Sequence, residues 1–166
     1  MATIRDWADG YLAQARADLK GAQAIGAASP STFAMLLQMV FEKFAKAALL
    51  RSGAVTLDWA RGSHGAASRM LLALRQQRRL LEPLGGTKVW EDVLWVVSTL
   101  EQAHPQLAPP EGPQLEYPWE DARAEIRWPA RDLQIATALG DPRKNLATRV
   151  LRFAMLLSDR FDDVFP

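Results

Sequence analysis

The stretch SPSTFAMLLQMVFEKFAKAALLRSG, from Ser29 to Gly53, limits what the rest of the chain can do. Ser29 followed by Pro30 reads as a helix start: a hydroxyl to cap free N–H groups, then a ring whose φ is already helical. Gly53 reads as the stop, because glycine enters the left-handed region past a last turn without steric cost. At roughly 100° per residue, Phe33, Ala34, Leu36, Leu37, Val40, Phe41, Phe44, Ala45, Ala47 and Ala48 fill half of the wheel without a polar interruption. The other half mixes Gln38, Glu42, Lys43 and Lys46 with Met35, Met39, Leu49 and Leu50. A helix this apolar must be covered on most sides. It predicts a bundle with this segment at its centre.

Within the segment, Gln38, Glu42 and Lys46 stand four apart and form one stripe. Glu42 and Lys46 can pair there for roughly 0.2–0.5 kcal/mol. Two readings follow: a solvated edge on a mostly buried helix, or a polar seam that faces a partner or ligand.

Around this centre the chain reads as helices in sequence. Thr3 can cap a first helix over about Ile4–Ile25, with Asp6 in its first turn and Gly26 closing it. Only Ala27–Ala28 separates it from the central helix, so the two should form an antiparallel pair. Residues 54–62 read as a connector anchored by Trp59. A third helix runs from about His64 to Leu81 behind a cap at Ser63, with Ala67, Met70, Leu71, Leu74 and Leu81 inward, and Pro83, Gly85 and Gly86 end it. A fourth follows Thr87, with Trp90, Val93, Val96, Val97 and Leu100 at helical spacing. The run HPQLAPPEGPQLEYPWE holds five prolines and cannot be continuous helix. It reads as an extended loop held down by Leu115, Tyr117 and Trp119. Residues 104–140 as a whole form a Pro-rich, partly irregular connection, with a bent extended piece allowed around Ala124–Trp128. Asp141-Pro142 opens a last helix with Leu146, Val150, Phe153, Leu157, Phe161 and Val164 inward. The expected fold is an all-α, single-domain, up-and-down bundle of about five main helices over residues 1–166.

Composition narrows the chemistry. The formal net charge is +1, so nothing global demands a polyanionic partner. Cysteine is absent, which removes disulfides, thiolate nucleophiles and cysteine zinc sites together. His64 and His104 are the only imidazoles, so no multi-histidine metal site within one chain and no cofactor is expected. No apolar run approaches the roughly 20 residues a bilayer requires. The segment MATIRDWADG carries acids where a signal peptide has a basic and then an apolar region. A cytoplasmic protein without membrane contact is the expectation.

Two features carry candidate chemistry. Arg61-Gly62-Ser63-His64 sets a guanidinium fork near an imidazole expected in the first turn of a helix, where the dipole favours the neutral ring. Arg61, Arg69, Arg75, Arg78 and Arg79 then fall within Ala60–Leu81, a stretch without an acid, and Arg75 and Arg79 share a face. Such a cluster suits a phosphate backbone, although aromatic residues of the kind that stack bases are missing from that helix. His104-Pro105 reads as a stop signal only.

The pattern Gln38-x3-Glu42-Lys43-x2-Lys46-Ala47-x-Leu49, then a glycine and a histidine opening the next helix, resembles the HEPN domain (higher eukaryotes and prokaryotes nucleotide-binding). Asp18-Leu19-x2-Ala22 and Tyr117-Pro118 match the family's flanking patterns, over roughly residues 8–120. The resemblance implies a homodimer paired through a two-fold contact, a nucleotide or RNA ligand, and a nucleotidyltransferase-type protein partner as in two-gene, toxin–antitoxin-like systems. The ribonuclease branch carries Arg, four to six residues, then His on one helix. This chain departs from that: Leu57, Asp58 and Trp59 precede His64, and Val97, Ser98 and Thr99 precede His104. Lys144-Asn145-x3-Arg149 has comparable spacing, but arginine stays protonated and cannot act as a base near neutral pH. Arg61 and His64 are therefore the weak catalytic candidates. Arg61, His64, Arg75, Arg79, Lys43 and Lys46 are the candidate ligand-binding residues, and Met35, Gln38, Met39, Glu42 and Lys46 the candidate interface. Three functions follow: a homodimeric binding or assembly module without an intact ribonuclease motif, a non-standard toxin- or defence-type ribonuclease, and a purely structural bundle.

Overall fold

Capping chemistry written into the sequence sets the first long element, α1 (Ile4–Ile25). The Thr3 hydroxyl accepts from the Asp6 N–H while Asp6 Oδ2 accepts from the Thr3 N–H at 2.7 Å, a reciprocal capping box. Gly26, at φ 49°, turns the chain through a single 3-10 turn into α2 (Pro30–Arg51). Ser29 does not cap α2 as expected; its hydroxyl instead meets that of Thr32 at 2.8 Å. Gly53 does take a left-handed conformation, φ 65°, just past the helix end.

The computed structural model describes residues 2–75, 82 and 86–166. Beyond α2 these residues form α3 (Leu57–Gly62), α4 (Ala66–Arg75), α5 (Gly86–Gln102), the strands β1 (Trp119–Glu120) and β2 (Ile126–Arg127), then α6 (Pro129–Asp132), α7 (Gln134–Gly140), α8 (Leu146–Asp159) and α9 (Phe161–Val164). The architecture is mainly all-α, and none of the described helices is long and apolar enough to cross a membrane. The segment read as a connector carries α3, capped by Thr56, whose hydroxyl accepts from the Trp59 N–H. The expected third helix starts two residues late, at Ala66, and its continuation through Arg78, Arg79 and Leu81 lies outside the described residues. The bent piece near Ala124–Trp128 is an antiparallel hairpin, Trp119 opposite Arg127, in which Ala124 has φ 58°. The last helix begins at Leu146 rather than Asp141, because Pro142 to Asn145 form turns and Asn145 is left-handed at φ 50°.

α2 is the hub. It packs along α1 and also touches α4, α5 and α7. Phe33, Leu37, Val40, Phe41, Phe44 and Ala45 have no more than 1 % of their surface exposed, and α5 and α8 close the core with Trp90, Val97 and Phe153. Phe44 stacks on Phe161 of α9 at 5.6 Å between centroids. Leu49 and Leu50, on the mixed half of the α2 wheel, are buried within the chain; Leu50 packs with Ala8 of α1 and Ala60 of α3. The unexpected α3 supplies that cover. Of the three residues expected to hold down the 104–120 loop, Leu115 and Trp119 are buried while Tyr117 points out, 58 % exposed.

Candidate functional site

The polar stripe of α2 faces inward. Gln38, Glu42 and Lys46 are all buried, so they are not available to a second chain, and that part of the expected interface is corrected. Burial forces each to find a partner. Gln38 Nε2 donates to Glu42 Oε2 at 2.6 Å, and Lys46 Nζ lies 2.7 Å from Glu42 Oε1. Burial pushes the Glu42 carboxyl up, but Lys46, Gln38 and the nearby His64 ring outweigh it and hold the group below its ordinary value. Lys43, one position round the helix, pairs with the nearly buried Asp18 of α1 at 2.6 Å. The residues that carry the family resemblance are thus joined to one another: Asp18 to Lys43, Gln38 to Glu42, and Glu42 to Lys46. Lys43 and Lys46 are spent on these pairs, which removes them from the list of free phosphate ligands.

Two loop histidines complete the cluster. His64 follows α3 and precedes α4, outside the helical first turn expected for it. His104 follows α5. Their rings stack at 4.1 Å between centroids, 16° from parallel, and His64 Nδ1 lies 3.4 Å from Glu42 Oε1. That contact does not have hydrogen-bond geometry, and His64 Nδ1 is buried without a hydrogen-bond partner among the described residues. Burial, reinforced by the His64 ring, lowers the pKa of His104 and favours its neutral form. His104 Nδ1 accepts the Gln106 N–H at 3.2 Å. Tyr11 faces the cluster from α1, with Lys46 Nζ 5.6 Å from its ring centre.

His104 was legible only as a helix stop. Its forty-residue separation from His64 carries no spacing signal, and only the pairing of α4 with α5 brings the two rings together. Glu101 fixes that pairing. Its Oε1 accepts the Ala67 N–H at 2.7 Å and the Ser68 N–H at 3.1 Å, satisfying the free first turn of α4 from a side chain of α5. The hydroxyls of Ser68 and Ser98 meet at 3.2 Å beside it.

The arginines occupy a second surface. Arg61, Arg69 and Arg75 are exposed, and none lies within ion-pair distance of a carboxylate among the described residues. Arg61 lies over the Trp7 ring at 5.5 Å and Arg69 over the Trp59 ring at 5.2 Å. The aromatic partner that α4 itself lacks therefore arrives from α3, while Trp7 of α1 serves Arg61 of α3. Trp7 also walls a groove of about 390 Å³ with Gly10, Tyr11 and Lys43. Arg79 lies outside the described residues. Arg149, which stood where a motif histidine would, is an ion pair with Asp92 at 2.7 Å that ties α8 to α5.

Comparison with family models, with curated proteins and with solved structures returns no match to this chain.

Proposed function

We propose that the chain is a HEPN-like, homodimeric binding module that holds a nucleotide or a single-stranded RNA without cleaving it. The observation that carries this reading is the Arg–Trp surface running from the start of α1 across α3 onto α4. A guanidinium lying on an indole keeps its N–H edge for phosphate, while exposed aromatic faces accept bases. Arg61, Arg69 and Arg75 offer three cations there and Trp7 an exposed ring, with the half-buried Trp59 beneath Arg69. Asp58 is the only acid on α3, and α4 has none.

The ribonuclease reading draws on one observation, the stacked imidazoles of His64 and His104, since two imidazoles can divide acid and base roles. Their half-buried rings line none of the larger cavities described, which favours binding over cleavage. One assay separates the two. Labelled single-stranded RNA is titrated with the protein by fluorescence anisotropy, and the same mixtures are run on a denaturing gel. Binding that weakens about tenfold or more in an Arg61→Glu/Arg69→Glu variant, with the RNA intact, is expected. Cleavage that disappears in His104→Ala would replace this reading with the ribonuclease. An affinity indifferent to both arginines would remove the surface from the proposal.

A further inference from the structure

Glu42, His64 and His104 reach one point from three separate elements. Each offers one ligand atom, and the three atoms lie within 4.8 Å of one another. Glu42 Oε1 and His64 Nδ1 are 3.4 Å apart. Two ligand atoms, each about 2.1 Å from one tetrahedral ion, stand roughly 3.4 Å apart. One of the three ligand-to-ligand spacings is therefore already present. The nitrogen involved is also buried without a hydrogen-bond partner among the described residues, which is costly to leave unmade.

We propose that Glu42, His64 and His104 form a binding site for a divalent, zinc-type cation, held through two imidazole nitrogens and one carboxylate oxygen. Two histidines and a glutamate are a ligand set that zinc accepts with its fourth position left to water. Gln38 holds the second carboxylate oxygen, Oε2, and so aims Oε1 at the histidines.

Two features set the affinity. The rings stand 16° from parallel, so they must splay before both lone pairs point at one ion. Ligation through His104 Nδ1 also displaces the 3.2 Å bond from the Gln106 N–H. The second feature is Lys46, whose ammonium lies 2.7 Å from the same Glu42 oxygen and repels an incoming cation. The site is accordingly weak in the presence of Lys46 and strong without it. This gives a test that loss of structure cannot imitate, because the decisive change is a gain.

Chelator-treated protein is titrated with Zn²⁺ by calorimetry and with Co²⁺ by visible absorption. One equivalent binds, and Co²⁺ shows the intense bands of a four-coordinate site. His64→Gln and His104→Gln each lose about tenfold or more in affinity, with circular dichroism reporting their folding. Lys46→Met binds Zn²⁺ about tenfold or more tightly than the unsubstituted chain, since a cation a few ångströms from the ion has gone. Its Tm falls without metal and rises with Zn²⁺, whereas Lys46→Met/His104→Gln gains nothing from Zn²⁺. Should the single histidine variants unfold, the Lys46→Met pair alone decides. The site is overturned if neither the unsubstituted chain nor Lys46→Met binds one equivalent, or if Zn²⁺ binds equally well after both histidines are replaced.

Discussion

At the scale of single residues, the charges inside this bundle are either matched or misplaced, and pH tells them apart. Arg51 is matched: its guanidinium reaches Asp9 at 2.7 Å, Asp162 at 2.6 Å and the Phe165 carbonyl at 2.9 Å, joining α1, α2 and the C-terminal α9. Glu101 is misplaced. Burial raises its pKa against the opposing pull of the Ser68 and Ala67 N–H groups, and the charge of Glu42 raises it further. A carboxyl whose folded pKa lies above its unfolded one stabilises the fold fully below the ordinary value of 4.5. That stability is lost as pH rises through the folded value. Glu101→Gln keeps an acceptor for α4 and cannot ionise. Its stability relative to the unsubstituted chain should therefore climb as pH rises from the ordinary carboxyl value of 4.5 through the raised folded value. Denaturant melts across that range check this, and a flat difference would mean that Glu101 is comfortable as an anion. Glu42 carries the opposite dependence: its lowered pKa removes stability only as pH falls below the ordinary carboxyl value of 4.5, on the acid side of this window.

At the scale of elements, α2 was legible because its signals agree. Unbroken apolar spacing, Pro30 at the start and Gly53 at the end describe one buried helix, and eleven apolar residues from Phe33 to Leu50 are buried in it. What the pattern did not reveal was the side on which the stripe lies. Glu42 and Lys46 at helical spacing look the same facing water or facing His64; the answer depends on α4 and α5, fixed by a glutamate thirty-four residues from the N–H it caps. The short α3 was missed for a related reason: six residues hold too little periodicity, although Thr56 was present as a cap. The hairpin at Trp119 and Arg127 is likewise held by Asp121, which accepts from the Arg123 and Glu125 N–H groups and from Arg127 Nε, a pattern that no strand periodicity encodes. The buried-helix reading has a direct check. Phe44 is fully buried against Phe161, so Phe44→Ala should cost about 3–5 kcal/mol. A Tm equal to that of the unsubstituted chain would place α2 at the edge of the fold.

At the scale of the whole molecule, the proposed homodimer needs an apolar surface that the chain does not cover itself. The side of α2 first expected to serve is largely turned into the fold, leaving Met35 and Met39 half-buried. Leu72 of α4 and Trp95 of α5 are each 51 % exposed, on helices held side by side at Ser68 and Ser98. A two-fold contact here would bring each pair onto its copy. Light scattering with size exclusion at tens of micromolar should give a dimer mass that becomes monomeric in Leu72→Glu/Trp95→Glu, with helical circular dichroism retained. A monomer before substitution would end the dimer proposal. The proposed binding surface, on α1, α3 and α4, shares α4 with this contact, and its charge is concentrated locally although the chain carries only +1 overall. Local charge leaves a quantitative trace in salt. Each phosphate neutralised on a single strand contributes about −0.7 to the slope of log K against log salt, so three arginines predict a slope of roughly −2. Measured on single-stranded RNA by anisotropy, that slope should fall by about 0.7 for Arg61→Gln and again for Arg69→Gln; a slope near zero, or one that neither substitution changes, would contradict phosphate binding by this surface.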